Sequence, residues 1–283
     1  MSEVRLFLLI GDPTDHSLGT ILHENIFRQT GLNAEYSKIR CDEEDIPNVL
    51  DYLRSGELDG INVTIPYKKT VIEHLDELNP RARLIQSVNT VAHVNDKLVG
   101  YNTDWWGFSM LLRNHDIHAT GRSIIIFGTG GSAHSVAYAL IQGGAGMLIF
   151  VTRDKEHGQT LIDSLSIIDS DTILTCVEYD KFPPLVKPNS IIINTTPLGM
   201  GDFEGRSPMS TELMMKDQIL IDLIYNPLET EFIYLGKLSG ATTINGLDMF
   251  IHQGLLSLDT WYGKAISSNV NIQKITAELV ENL

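Results

Sequence analysis

The segment from Ser123 to Leu140 limits the possible folds of this chain more than any other part of its sequence. It contains a short apolar strand, then the pattern Gly-x-Gly-x-x-Ala from Gly128 to Ala133, then a helix of small residues. In this pattern the first glycine permits a tight turn, Gly130 lets the backbone approach a pyrophosphate, and the alanine allows close packing of helix on strand. The N–H groups at the helix start favour phosphates. Because a second apolar strand follows, we expect a dinucleotide-binding domain.

The rest of the sequence alternates short apolar runs with amphipathic stretches. This rhythm is typical of strands joined by helices, and it predicts an α/β protein with parallel sheets. A chain of 283 residues exceeds the size at which one core usually stops growing, so we expect two domains. Without a Pro-rich linker, the motifs place the boundary near residues 104–107. The runs predicted as strands are residues 6–10, 34–38, 60–64, 124–127, 147–151, 173–177, 191–194 and 219–223.

The charge and the cysteines exclude several classes of partner. A formal net charge of −15 argues against nucleic acid and an anionic membrane surface, since both need a positive footprint on the protein. The first apolar run is too short for a signal-peptide core or a membrane span, and we expect a cytoplasmic protein. Cys41 and Cys176 lack metal-ligand spacing, so we expect no disulfide and no metal. An anionic ligand must then be bound by local cations and N–H groups.

Conflicting charges follow the second strand of the dinucleotide-binding unit, where nicotinamide cofactors are distinguished by their adenosine ribose. Arg153 and Lys155 could hold a 2′-phosphate, whereas Asp154 could accept hydrogen bonds from a free ribose diol and would repel a phosphate. Alternatively, Asp154 only begins a helix and the two cations are solvated, because acidic residues favour first helical turns. The residues themselves leave these alternatives open.

A second set of polar residues precedes the predicted boundary. An apolar run ending at Thr64 predicts a strand with Asn62 and Thr64 on one face, and Lys68 follows a proline where a helix is expected to start. Asn89 and Asp104 also lie where we expect strands to have ended. Ligands of open α/β sheets bind beyond the carboxyl ends of strands. Lys68 considered alone fits a solvated lysine at a helix start better than a catalytic group. Hydride transfer at a carbinol carbon needs a partner for the hydroxyl proton, and a lysine held against an aspartate can supply it.

Taken together, these motifs resemble the shikimate dehydrogenase family. The resemblance covers nearly the whole chain, in the family's order and at similar spacing. It implies an N-terminal α/β substrate-binding domain, residues 1–105, completed by C-terminal helices in residues 246–283, and a Rossmann-type dinucleotide-binding domain, residues 106–245. The motifs are His16-Ser17-Leu18, Asn62 to Lys68, Val88-Asn89-Thr90, Asn102-Thr103-Asp104, Gly128 to Ala133, residues 194–200, residues 222–227, and Asn245-Gly246-Leu247 leading to Gln253.

The resemblance also implies a reaction and roles for individual residues. The reaction is the reversible reduction of 3-dehydroshikimate to shikimate, a hydroxylated cyclohexene carboxylate, with Lys68 moving the hydroxyl proton and Asp104 orienting the lysine. Like the family, the chain would serve aromatic amino acid biosynthesis, as a monomer or homodimer. The substrate-binding positions would be Ser17, Gly19, Asn62, Thr64, Asn89, Tyr225 and Gln253. The cofactor-binding positions would be Gly128, Thr129, Gly130, Gly131, Ser132, Ala133, Thr152, Arg153, Asp154, Thr195 and Gly246.

Two positions depart from the family pattern. Gly19 replaces the second serine of Ser-x-Ser, and Thr20 replaces the proline after it. Unless Thr20 substitutes, a hydroxyl is missing at the substrate carboxylate, and a lost donor of this kind costs about 1 to 3 kcal/mol. A quinate or aminoshikimate dehydrogenase is therefore an alternative. Asp154 replaces the threonine of the NADP-type pattern Asn-Arg-Thr, so we expect NADP, with NAD as the alternative. A catalytically silent nucleotide or metabolite sensor is a third hypothesis, which the lysine and aspartate pair disfavours.

Overall fold

The chain forms two compact units in the computed structural model, which describes residues 3–168 and 170–283. Unit 1 comprises the chain up to Gly107 together with Ile251–Leu283, and unit 2 comprises Phe108–Phe250. Each unit contains one six-stranded sheet with helices, so the predicted α/β fold class is confirmed.

Strands and helices follow one another in the alternation that the sequence predicts. All eight apolar runs predicted as strands are strands, within two residues at either end. In chain order the elements are β1 (Arg5–Gly11), α1 (Gly19–Thr30), β2 (Ala34–Arg40), α2 (Ile46–Ser55), β3 (Gly60–Val63), β4 (Glu77–Leu78), α3 (Pro80–Ile85), β5 (Thr90–Val94), β6 (Lys97–Tyr101), α4 (Asp104–Asn114), β7 (Ser123–Phe127), α5 (Gly131–Gln142), β8 (Met147–Thr152), α6 (Lys155–Leu165), β9 (Ile173–Glu178), β10 (Ile191–Asn194), β11 (Ile219–Asp222), α7 (Glu231–Leu238), β12 (Thr242–Ile244), α8 (Leu247–Tyr262) and α9 (Ile272–Glu281).

Unit 1 contains a mixed sheet with the strand order β2-β1-β3-β5-β6-β4. β1 pairs in parallel with β2 and β3, whereas β5 runs antiparallel to β3 and β6. The prediction of parallel sheets is therefore wrong for this unit. The physical reason is the two-residue turn at Asn95 and Asp96, both with positive φ, which joins β5 and β6 as a hairpin without a crossover helix.

The hairpin also corrects the predicted surroundings of Asn89 and Lys68. Asn89 precedes β5 instead of following a strand, but β5 is antiparallel to β3, so its first residue, Thr90, pairs with Asn62 near the end of β3. The expected convergence at one sheet edge therefore occurs by a different topology. Lys68 lies in a turn before the 3-10 helix Thr70–His74, where an α-helix was expected. This segment contains consecutive β-branched residues, which lower helix propensity.

The core of unit 1 packs helices against this sheet. Buried residues of α2, among them Ile46 and Leu53, belong to one hydrophobic cluster with Ile61 and Val91 of the sheet. Helix α8 is fixed to the same sheet by Trp261, whose indole N–H donates to the carbonyl of Val91 at 3.0 Å. The central strands β3 and β5 are therefore supported by both the N-terminal and the C-terminal parts of unit 1.

Unit 2 contains a parallel sheet with the strand order β12-β11-β10-β7-β8-β9. Read from its other edge in order of sequence, this is the 3-2-1-4-5-6 order of a Rossmann-type domain. All four residues of β10 are buried, in keeping with a strand covered on both faces. The strand order reverses between β7 and β10, and ligands of such sheets bind beyond the carboxyl ends at this point.

Two structural features bear on membrane and metal binding. Within residues 3–168 and 170–283, no helix is long and apolar enough to cross a membrane. In the same ranges, no three histidine, cysteine, aspartate or glutamate side chains lie close enough to hold a metal ion.

Candidate functional site

A buried ion pair lies at the end of β3 in unit 1. Nζ of Lys68 is 2.6 Å from Oδ2 of Asp104, and the two side chains are 13% and 6% exposed. The backbone around the lysine is anchored on both sides: the hydroxyl of Tyr67 donates to the carbonyl of Cys41 at 2.8 Å, and the N–H of Val88 donates to the carbonyl of Lys68 at 2.7 Å. Asp104 begins α4, where the helix dipole favours a negative charge. The lysine is thus held in one position, and an ammonium group held in this way can exchange a proton with a ligand.

Asn89 fixes the second oxygen of this aspartate. Its Nδ2 lies 3.0 Å from Oδ1 of Asp104, 2.8 Å from Oγ1 of Thr103 and 3.2 Å from Oε1 of Gln253, so its two N–H groups are shared among three acceptors. Its Oδ1 accepts from the N–H of Thr103 at 2.7 Å. One oxygen of the Asp104 carboxylate therefore bonds to Lys68 and the other to the amide of Asn89. The structure thus brings together four predicted site residues: Lys68, Asp104, Asn89 and Gln253.

A buried cluster of hydroxyl groups supports this arrangement. Oγ of Ser257 lies 2.9 Å from Oγ1 of Thr90 and 3.1 Å from Oγ1 of Thr103. Nδ2 of Asn62 donates to Thr90 at 3.0 Å and to Ser257 at 3.1 Å, and its Oδ1 accepts from the hydroxyl of Tyr36 at 2.8 Å. Buried polar groups need such partners. The amide of Asn62 is thus bound on both its oxygen and its nitrogen by neighbouring protein groups.

The loop predicted to bind the substrate carboxylate leads into α1. Oγ of Ser17 accepts from the N–H of Gly19 at 3.1 Å, and Nζ of Lys38 donates to the carbonyl of Ser17 at 3.0 Å. The lysine therefore places a positive charge beside the loop. A Cβ at Gly19 would lie 3.1 Å from the ring of Tyr36, so a larger residue there would require the tyrosine to move. Thr64 is half-buried directly after β3.

In unit 2 the glycine turn lies between β7 and α5. Gly128 has a φ of +105°, and a Cβ there would lie 2.6 Å from Oγ1 of Thr195. A Cβ at Gly130 would meet no atom within 4 Å, so the backbone faces open space at this point. α5 begins at Gly131 without a side-chain cap, which leaves N–H groups of its first turn for an anion. With Ala133 fully buried, the turn from Gly128 through Thr129 and Ser132 fits a dinucleotide pyrophosphate.

The end of β8 shows how Asp154 is used. Asp154 is the N-cap of α6, and its Oδ1 accepts from the N–H groups of Glu156 at 2.8 Å and His157 at 3.3 Å. These hydrogen bonds lower the pKa of the Asp154 carboxyl. The structure therefore shows Asp154 as the residue that begins α6, which is one of the two alternatives left open by the sequence. Arg153 and Lys155 are exposed beside it and can reach a 2′-phosphate.

Three other predicted positions follow strands of unit 2. The hydroxyl of Thr195, after β10, donates to the carbonyl of Phe127 at 2.6 Å. A Cβ at Gly246, after β12, would lie 1.9 Å from the carbonyl oxygen of Leu223, so packing requires glycine there. The ring of Tyr225, after β11, stacks on that of Phe250 at 4.1 Å. Tyr225 belongs to unit 2, whereas the other predicted substrate-binding residues belong to unit 1.

Sequence analysis missed two residues of the unit 1 network, Ser257 and Tyr36. Ser257 lies four residues after Gln253 on α8, which places both on one helix face, and that spacing was the available signal. Tyr36 lies two residues before Lys38 on β2, on the same face of the strand. Serine on a helix and tyrosine on a strand are common, so these spacings are weak signals and the contacts are needed to identify both residues.

The chain is similar to known proteins over nearly its full length. The profile of the shikimate dehydrogenase substrate binding domain matches residues 9–91. Shikimate dehydrogenase (NADP(+)) of Carboxydothermus hydrogenoformans is 37% identical, covering 96% of this chain and 96% of that relative. The structure of shikimate 5-dehydrogenase from Thermus thermophilus in complex with NADP(H) and shikimate has a TM-score of 0.80 and 28% identity, covering 94% of this chain and 98% of that one. Quinate dehydrogenase from Corynebacterium glutamicum in complex with NAD has a TM-score of 0.86 and 26% identity, covering 99% and 100%.

Proposed function

We propose the function of this chain from one premise: it belongs to the shikimate dehydrogenase family. The family expected from the motifs is thus confirmed. The chain is an NADP-dependent oxidoreductase that acts on a CH–OH group, and its reaction is the reversible reduction of 3-dehydroshikimate to shikimate. The observation that carries this assignment is the buried pair of Lys68 and Asp104, 2.6 Å apart, with Asn89 on the second carboxylate oxygen.

Lys68 is the proposed proton carrier. During reduction its ammonium group donates a proton to the carbonyl oxygen that becomes the hydroxyl, and during oxidation its amine takes that proton back. Asp104 orients Nζ through Oδ2, while Asn89 keeps Oδ1 from rotating away. Because the pair is largely buried, the proton passes between lysine and substrate with little competition from water.

The proposed substrate contacts of unit 1 come from both its N-terminal and its C-terminal part. We assign the substrate carboxylate to the hydroxyl of Ser17, with the charge of Lys38 beside it. Asn62 is satisfied by Tyr36 and the hydroxyl cluster, so its proposed contribution is to shape the site. Further proposed contacts are Thr64, Asn89, Gln253 and Tyr225.

The proposed cofactor is NADP, with the residues of unit 2 as its binding groups. When bound, its nicotinamide accepts the hydride during oxidation of shikimate. The turn from Gly128 to Ala133 and the start of α5 fit the pyrophosphate, and Arg153 and Lys155 fit the 2′-phosphate. Asp154 is held at the start of α6 by two N–H groups on its Oδ1, and the two cations that flank it favour NADP over NAD.

One panel of assays tests the assignment: oxidation of shikimate and of quinate, each with NADP and with NAD, followed through the absorbance of reduced nicotinamide. We expect the fastest turnover with shikimate and NADP. Preference for quinate would favour the second candidate, a quinate dehydrogenase, which the missing hydroxyl at Gly19 motivates. No turnover in any of the four assays would contradict the proposed function and favour a nucleotide or metabolite sensor.

We further propose that the enzyme acts in the cytoplasm, in aromatic amino acid biosynthesis. Its assembly as a monomer or homodimer stays a prediction.

A further inference from the structure

A buried carboxyl group lies at the end of β11 in unit 2. Asp222 is fully buried, and its two oxygens accept three hydrogen bonds from three different segments. Oδ1 accepts from Nδ2 of Asn194 at 3.0 Å and from the N–H of Ile224 at 3.1 Å, and Oδ2 accepts from the hydroxyl of Thr230 at 2.7 Å. The carboxyl therefore joins the ends of β10 and β11 to the start of α7.

Both side-chain oxygens of Asp222 accept hydrogen bonds. A carboxylate offers acceptors on both atoms, whereas an amide offers one oxygen and two N–H donors. Burial without a cation is unfavourable for a carboxylate, and it raises the pKa of Asp222 to about 7 although three donors oppose the shift. The three donors therefore hold in place an acidic group that burial alone disfavours.

Asn194 connects this carboxyl to the turn that follows β10. Its Nδ2 also donates to the carbonyl of Leu198 at 3.1 Å, and its Oδ1 accepts from the N–H of Thr196 at 3.0 Å and from the hydroxyl of Thr196 at 2.6 Å. Both ends of the Asn194 amide are therefore used to close residues 194–198 into one conformation.

This closed turn packs on the glycine turn. The hydroxyl of Thr195 bonds to the carbonyl of Phe127, and it lies 2.6 Å from the position of a Cβ at Gly128. The methyl group of Thr196 lies 3.1 Å from the same position. A shift of either threonine would therefore change the support of the first glycine of the dinucleotide-binding turn.

We propose that Asp222 is a positioning residue for the cofactor, because it holds Asn194 and thereby the two threonines that support Gly128. The inference rests on the proposed function only in that unit 2 binds NADP. Asp222 contacts no proposed ligand atom. Of its three hydrogen-bond donors, only Asn194 belongs to the turn that packs on Gly128, so we expect its effect on NADP⁺ to pass through Asn194. The bond from Thr230 on the other oxygen should not matter for binding.

The experiment compares NADP⁺ dissociation constants of the full chain, measured by titration of intrinsic fluorescence. We expect Asp222→Ala to weaken NADP⁺ binding by about tenfold, the effect of one lost buried hydrogen bond. Asp222→Asn keeps an oxygen for Asn194 and Ile224, so its affinity should remain close to that of the wild type. Thr230→Val is the control on the other oxygen: it removes the bond to Oδ2 and the N-cap bond of α7 but leaves Asn194 untouched, and its affinity should be unchanged.

A second variant keeps the proposal testable if Asp222→Ala does not fold. Thr196→Val, at a half-buried position, removes the hydroxyl that bonds to Asn194 but keeps the methyl group beside Gly128, and it should weaken NADP⁺ binding by about threefold. In combination with Asp222→Ala the two effects should not add, because both act through Asn194. Equal weakening by Thr230→Val and Asp222→Ala, or full affinity in a folded Asp222→Ala or in Thr196→Val, would overturn the role of Asp222. Failure of the wild type to bind NADP⁺ would instead overturn the proposed function, and this inference with it.

Discussion

The proposed sites of the two units are built from different materials. In unit 1 the site consists of side chains, since Lys68, Asp104, Asn89 and the hydroxyl cluster use their polar atoms on one another. In unit 2 the glycine turn consists of main chain. Its shape depends on the absence of a Cβ at Gly128, and its backbone faces open space at Gly130. Proton transfer requires a particular functional group, whereas a phosphate can be bound by N–H groups that every residue but proline has.

This difference predicts how each unit responds to change. Removing a functional group in unit 1 should slow the chemistry and leave the cofactor in place. In unit 2, a change of shape or of charge should alter cofactor affinity and leave the proton transfer intact. The four predictions below test this separation, from the largest expected effect to the smallest.

The largest effect is expected for Lys68→Ala. The variant lacks the group that moves the hydroxyl proton, and we expect kcat to fall by about 10²- to 10⁴-fold. The NADP⁺ dissociation constant should not change, because the proposed cofactor residues all belong to unit 2. Steady-state kinetics and a fluorescence titration measure the two quantities. Lys69→Ala, at the exposed neighbouring position, is the control and should retain activity. A Lys68→Ala enzyme of nearly full activity would remove the basis of the mechanism.

Asp222 is an exception to this contrast between side chains in unit 1 and main chain in unit 2, because it is a buried acidic side chain in unit 2. Burial raises its pKa from 3.8 to about 7, so the native state holds its proton at a pH where the unfolded chain has lost it. The stability that depends on this proton is therefore present at low pH and lost as the pH rises through this range. We expect the free energy of unfolding to fall by about 3 kcal/mol between about pH 5 and pH 8 from this group.

Asp222→Asn is the matched control, since an amide does not titrate. Urea unfolding of both proteins at several pH values gives the two slopes, and their difference isolates Asp222 from the other ionisable groups. Parallel slopes would show that the carboxyl keeps an ordinary pKa in the folded state.

A smaller effect is expected for Gly128→Ala, which tests the role of shape in unit 2. Gly128 has a φ of +105°, and the new Cβ would lie 2.6 Å from Oγ1 of Thr195, so the turn must shift. Strain of this kind is worth about 1 to 2 kcal/mol, and we expect NADP⁺ affinity to fall about tenfold. Gly144→Ala is the control, with a φ of +75° and no atom within 3.6 Å of the new Cβ, at a site away from the turn. Equal losses of NADP⁺ affinity in both variants would show that a strained backbone anywhere in unit 2 lowers the affinity, and the shape of the turn at Gly128 would then have no special role.

The fold was largely predictable because of how parallel strands are buried. A strand covered on both faces is apolar along its whole length, and β7, β10 and β11 are recognisable for this reason. Strand direction was not predictable by the same argument. An apolar run looks alike in both directions, and the mixed sheet of unit 1 depends on the positive φ angles of Asn95 and Asp96.

The candidate site was predictable only in part. The sequence indicates Lys68, Asn89 and Asp104, because each lies next to a short apolar run and polar residues at strand ends lie close together at one edge of a sheet. Ser257 carries no such signal, since its meaning comes from Asn62, which lies 195 positions away in the sequence. Asp154 was ambiguous because an N-cap aspartate and a ribose-binding aspartate occupy the same place in the sequence, and only the hydrogen bonds of its carboxylate distinguish them.

The smallest effect is expected for Asp154→Asn, which tests the role of charge in unit 2. Asparagine caps a helix as well as aspartate does, so α6 should begin unchanged while one negative charge disappears beside Arg153 and Lys155. An exposed charge interaction is weak and is screened by salt, so we expect NADP⁺ to bind only about threefold more tightly, with less gain at high salt. NAD⁺ affinity should stay the same. Asp163→Asn, on the same helix, is the control for a change of net charge alone. A loss of NAD⁺ affinity in Asp154→Asn would instead mean that the carboxylate binds the ribose, and charge at this position would then decide the cofactor.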